Sequence, residues 1–152
     1  MSGVRLVQGP IETNYQELIM ANSADFDFMD PVYIDSNGFL ATSSTTNKLA
    51  GFWAEDGTTA TSDNQTVAQT KGKYMPWHQS MVLEGTADQA CTQTDVGAYA
   101  DFAVASGAFT INLAAGTSGQ LFIIDFDPDR DGSTTKVRFR VAEPQESGFT
   151  QD

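Results

Sequence analysis

The side chains best placed to do chemistry in this 152-residue chain are carboxylates. Asp127-x-Asp129-x-Asp131-Gly132 sets three acids at alternate positions ahead of a glycine, which is how a calcium loop opens. Ca²⁺ gathers several hard oxygens, and the glycine permits the sharp turn. The continuation does not fit, because the position that needs a bidentate Glu is Arg138, Pro128 interrupts the loop, and both flanks read as strands. A solvated hairpin turn is the expectation, with no metal or cofactor ligand assigned. Glu84, Asp88, Asp95 and Asp101 are acids of the kind that glycoside hydrolysis uses in facing pairs. In a chain with twenty Asp and Glu such near neighbours arise by chance. His78 is the one histidine, with Ser80 two residues on, but no nucleophile-elbow motif surrounds them. Cys91 is the one cysteine and has no histidine near it in sequence. No catalytic residue is assigned, and the chain is not expected to be an enzyme.

Two other groups bear on binding. Four of the eight Lys and Arg lie between Arg130 and Arg140, and Lys136, Arg138 and Arg140 fall on one face of one strand. Such a stripe is a solvated or ion-paired face, or a docking face for an acidic partner or a second copy. Trp53, Tyr74 and Trp77 are core or interface aromatics, with sugar stacking as the alternative for Trp53 and Trp77.

The elements that must position these groups are short strands. From Gln120 to Gln145, an apolar run (Leu121 to Ile124, then Phe126) is followed by an Asp/Pro/Gly cluster and then by a clean alternation. Val137, Phe139 and Val141 share one face against Lys136, Arg138 and Arg140, the period of a strand with one buried side. Pro31 to Ile34, the turn Asp35-Ser36-Asn37-Gly38, and Phe39 to Ala41 make a second hairpin, since Asn-Gly accepts positive φ. Leu49 to Ala54, Thr66 to Gln69 and Ala108 to Leu113 are further strands. Gly51 marks a bulge or a close backbone approach. Thr94 to Phe102 is the best helix, capped by Thr94 or Asp95, and Asn14 to Met20 has two helical turns' worth of pattern.

The fold expected is all-β, a single-domain sandwich or barrel of short antiparallel strands with one short helix. Residues 1–25 form an extended N-terminal arm, 26–145 the β-rich domain and 146–152 a flexible tail. A charge of −12 repels nucleic acid and anionic membrane surfaces. One cysteine excludes an internal disulfide, no apolar run approaches the roughly 18 residues of a membrane helix, and the first residues lack a signal peptide's apolar core. Synthesis in a cytoplasm is expected.

The order of several segments resembles the small capsid decoration, or cement, proteins of tailed bacteriophages. These are Asp30-Pro31-Val32-Tyr33-Ile34-Asp35-Ser36-Asn37-Gly38, Leu49-Ala50-Gly51-Phe52, Tyr74-Met75-Pro76-Trp77, Thr94 to Asp101, Phe126-Asp127-Pro128 and Val137-Arg138-Phe139. The resemblance implies a β-rich virion protein on the capsid exterior, often a homotrimer, clamping neighbouring major capsid protein subunits. Such clamping implicates the arm (Val4, Arg5, Leu6, Val7), the basic strand (Lys136, Arg138, Arg140) and exposed aromatics (Trp53, Trp77) as contacts. A phage tail or head-fibre component, or a carbohydrate-binding β-sandwich, is the alternative.

Overall fold

The computed structural model describes residues 4–8, 15–42, 49–60, 70–105, 108–116 and 119–142. Nearly all of the ordered structure in them is β. In chain order the strands are β1 (Arg5–Gln8), β2 (Gln16–Ile19), β3 (Asp25–Phe26), β4 (Pro31–Ile34), β5 (Leu40–Thr42), β6 (Gly51–Trp53) and β7 (Thr58–Thr59). They continue with β8 (Lys71–Pro76), β9 (Val82–Thr86), β10 (Tyr99–Ala105), β11 (Ala108–Gly116), β12 (Leu121–Phe126) and β13 (Lys136–Val141). One sheet has the order β1-β9-β13-β12-β10-β11, a second β2-β8-β6-β4-β5, and β3 pairs with β7 as a small flap. Every pairing between these strands is antiparallel. No helix of the described residues is long and apolar enough to cross a membrane.

The C-terminal hairpin follows its alternation. Leu121 pairs with Val141 and Phe126 with Val137, with one irregularity between Ile123 and Asp125. Val137, Phe139 and Val141 are buried while Arg140 is exposed. Together with Leu83, Phe102, Ile111, Leu121 and Ile123 they form the main core, which Phe52, Met75 and Leu49 close from the second sheet. Phe102 is its centre, meeting Phe52, Phe109 and Phe139 edge to face at 6.2, 6.1 and 5.8 Å.

A second core explains why all three residues of β6 are buried. Alternation sends Phe52 into the main core and Trp53 to the opposite side of the same sheet. There Trp53 joins Met20, Phe26, Val32, Leu40 and Tyr74. The Phe26 ring, carried by the flap, stacks on Trp53 at 4.6 Å. A Cβ at Gly72 would overlap the Trp53 ring, so this position of β8 admits only glycine beneath the indole. Gly51 makes the close approach expected of it, against the Met75 carbonyl. The second sheet also curls: Met20 N donates to Thr70 O and Ala21 N to Leu40 O, each at 2.8 Å, so one residue pair bridges its two edges. The first sheet curls too, since Ala87 bridges Ile111. Asp88 N donates to Ile111 O at 2.9 Å and its carboxylate accepts Leu113 N at 3.2 Å, which blunts the open edge of β11.

Several expectations change. Thr94 to Phe102 is not a helix: a single 3-10 turn, Gln93–Asp95, is followed directly by β10. Tyr99, Asp101 and Phe102 fit the pleat because Gln120 replaces part of the ladder. Its Oε1 accepts Phe102 N at 3.2 Å and its own N donates to Asp101 Oδ1 at 3.0 Å. Gln16–Ile19 is a strand rather than helical turns, because pairing with β8 decides what local propensity leaves open. The segment expected as an arm, in which Val4, Leu6 and Val7 also read as a short strand, contributes β1 and β2, one to each large sheet, and Val4 and Met20 are core residues. Thr66 to Gln69 and the tail lie outside the described residues.

Candidate functional site

The basic stripe is largely consumed by its own molecule. Arg138 on β13 and Arg5 on β1 flank Glu84 on the strand between them, β9. Arg5 Nε donates to Glu84 Oε1 at 2.8 Å and Arg138 Nε to Oε2 at 3.3 Å, while the Glu84 side chain is only 7% exposed. Burial alone would push that carboxyl up, but the two guanidinium contacts outweigh it and hold it below the usual range. Lys136 Nζ is bound to Asp129 at 2.7 Å. Arg140 makes no carboxylate contact among the described residues and lies 5.0 Å over the Phe122 ring. The pairing that is one reading of such a stripe thus holds for Lys136 and Arg138.

Glu84 yields a prediction with a definite sign. Its folded pKa lies below the unfolded one, so its contribution is present above about pH 4.3 and is lost as pH falls through the folded value. Asp30 and Asp101 run the other way: burial raises both, so their contribution is lost as pH rises. Arg138→Met is expected to lower stability at pH 7 by about 1–2 kcal/mol, a figure reduced by the partial exposure of the arginine. Denaturant titration should show that deficit shrinking below about pH 4, once Glu84 is protonated. An equal deficit at pH 3 and pH 7 would remove the ion pair from the account.

The calcium-like loop is a hairpin turn whose carboxylates bind its own backbone and Lys136. Asp127 (φ 48°) accepts Asp131 N at 3.0 Å and Gly132 N at 3.1 Å. Asp131 accepts Ser133 N at 2.9 Å, and Asp129 is held by Lys136. Among the described residues no group of three or more His, Cys, Asp or Glu could hold a metal. The acids weighed for glycoside hydrolysis also separate: Asp88 binds Leu113 N, Asp95 binds Thr92 N at 2.8 Å, Asp101 binds Gln120 N, and none of these contacts joins two of them. His78 Nδ1 lies 2.8 Å from Ser80 Oγ and accepts Ser80 N at 3.1 Å. That contact closes a turn from His78 to Met81 on the surface. Cys91 is buried, and burial with nearby Asp95 pushes its thiol up to about 11, so it is not a thiolate nucleophile near neutrality.

The predicted contact residues scatter. Trp53 is fully buried in the second core, and Val4 is buried in the main one, so neither offers a surface. Trp77 and Leu6 are half-buried against the main core, and Val7 is half-buried on β1. Arg5, Lys136, Arg138 and Arg140 stay on the outer face of the first sheet.

A feature the sequence did not single out lies beside β1. The turn Asp27-Phe28-Met29-Asp30 closes by Asp30 N to Asp27 O at 3.0 Å. Its return contact is Asp27 N to Asp30 Oδ2 at 2.8 Å. Met29 has φ 69° at the third position, the geometry that type II turns demand and that non-glycine residues resist. Met29 N donates to Trp53 O and Trp53 N to Asp30 O, both at 2.8 Å, so the turn is tied to β6. The side chain of Met29 goes into the main core, and Phe28 is pushed outward, 54% exposed. Phe28 separates two clefts. One, of about 830 Å³, runs between Asp27, Asp56 and Gly57 and the Arg5, Glu84 and Lys136 side of the first sheet. The other, of about 300 Å³, is floored by Leu6, Met29 and Met75 and walled by Tyr15, itself 51% exposed. The available signal was the Asp-x-x-Asp spacing of Asp27 and Asp30, a turn pattern.

No protein-family model, no curated protein and no solved structure gives a significant match to the chain.

Proposed function

We propose that the chain is a virion structural protein, a capsid decoration protein that binds the outside of a tailed-phage head between major capsid protein subunits. The observation that carries the reading is how its polar groups are used. Glu84, Asp88, Asp95, Asp101, Asp127 and Asp129 each hold a backbone group or a cation of the same chain. Among the exposed large apolar side chains of the described residues, Phe28 on its tied turn and Tyr15 line one cleft. Such a surface makes contacts rather than chemistry. The order of segments resembling decoration proteins supports the same reading, as does a frame stabilised by two cores with no disulfide. Many weak contacts repeated by shell symmetry then give a strong grip.

The structure alters how such binding is to be tested. Removing residues 1–12 would take away a strand of the first sheet and Arg5 from Glu84, so it would disturb the fold as well as any contact. The sharper variant is Phe28→Ser, which leaves both cores untouched. The purified chain should sediment with assembled capsid shells and remain in the supernatant alone. Phe28→Ser should weaken that association about tenfold or more at unchanged stability. A chain that never sediments with shells would overturn the reading.

A further inference from the structure

We propose that the outer face of the first sheet is an interface between two copies of this chain, with the acid-flanked Phe28 turn of one copy seated on Arg140, Phe122 and Tyr99 of the other. Two surfaces carry this. On the first, Arg140 is exposed over Phe122, whose ring meets Tyr99 edge to face at 5.6 Å. Lys136 and Arg138, on the same face of β13, are engaged by Asp129 and Glu84, while Arg140 has no carboxylate partner among the described residues. An aromatic pair topped by such a cation offers a site for an aromatic side chain with a carboxylate beside it. The second surface supplies that: exposed Phe28 follows Asp27 and lines the same cleft as exposed Asp56.

Both surfaces lie on one side of the molecule. Lys136 lines the Phe28 cleft and shares its face of β13 with Arg140, four residues and about 13 Å further along the strand. Two complementary patches on one face meet twice when two copies are related by a two-fold axis, since each patch then finds its counterpart on the other copy. Local charge complementarity argues for this occupant: the exposed Arg140 of one copy meets the exposed Asp56 of the other, against the net repulsion of two chains at −12. The pairing gives two copies rather than the three that the resemblance implies, and it engages the same Phe28 as the proposed capsid contact, so one turn serves one partner at a time.

Light scattering after size exclusion tests it on the full chain. The expected mass is twice the 16.4 kDa of the chain. Arg140→Glu and Asp56→Arg should each weaken association about tenfold or more, with the far-UV circular dichroism spectrum unchanged because both side chains are exposed. Mixing the two single variants brings a reversed acid onto a reversed base at one of the two symmetric contacts. The double variant Arg140→Glu/Asp56→Arg restores both contacts and should return to two copies. A single-copy or three-copy mass for the wild-type chain would overturn the proposal. So would a two-copy mass that neither substitution moves, or a double variant that stays dissociated.

Discussion

Trp53→Ala should remove about 3–5 kcal/mol of folding stability, the loss expected when a large aromatic leaves a closed core. The indole is fully buried, stacked on Phe26 and seated over Gly72, which has no side chain to fill the void left behind. Trp53→Phe should cost far less, within about 1.5 kcal/mol. Trp53 Nε1 is buried with no hydrogen-bond partner among the described residues. Phenylalanine forfeits ring area but also relieves an orphaned donor, whose burial costs about 1–3 kcal/mol. Denaturant unfolding monitored by circular dichroism separates the two variants. It also decides between the two uses of this residue that composition left open. A surface tryptophan kept for stacking on sugars would change stability by no more than about 0.5 kcal/mol when truncated, so a value near zero would contradict the second core.

Phe102→Ala should cost a similar about 3–5 kcal/mol, for a different reason. Phe102 is where the two large sheets meet, with Phe139 and Phe109 from its own sheet and Phe52 from the other around its edge. Edge-to-face pairs each add about 0.5–1.5 kcal/mol beyond area, and one truncation ends three of them. Phe102→Leu keeps most of the volume and should lose about half as much or less. Against a whole-domain stability of about 5–15 kcal/mol, either alanine variant leaves a thin margin, so both should be measured well below the melting range. A Phe102→Ala loss under about 1 kcal/mol would mean that the sheets do not pack through this ring.

The parts of this fold visible in the sequence are those whose cause is local. Val137, Phe139 and Val141 alternate because one face of β13 is buried and the other is not, and Asn37-Gly38 marks its turn by backbone preference alone. Elements whose cause is distant were not visible. Thr94 to Phe102 has caps and spacing compatible with a helix, but the side chain of Gln120 and the partner strands β11 and β12 make Tyr99–Ala105 a strand. Lys71–Pro76 showed no clean alternation because only its end is covered on both faces, with Tyr74 in one core and Met75 in the other, while Lys71 and Lys73 are exposed. Trp53 failed as a surface residue for the same reason.

At the candidate site the basic stripe was visible as a pattern, but not its neutralisation, which depends on β9 lying between β1 and β13. Glu84 sits 79 residues from Arg5 and 54 from Arg138, and no spacing rule joins them. Phe28 was missed because Asp25-Phe26-Asp27-Phe28 alternates as a strand would, placing both rings on one side. The chain instead turns after Phe26, burying one ring against Trp53 and exposing the other.

The most direct test of the decoration reading is the amount of chain bound to purified capsid shells at saturation, read from sedimented material over a titration. A plateau at a fixed ratio to major capsid protein, set by the number of equivalent sites on the shell and lowered in affinity by Phe28→Ser, is the predicted result. Uptake that rises without a plateau, or none at all, would contradict it.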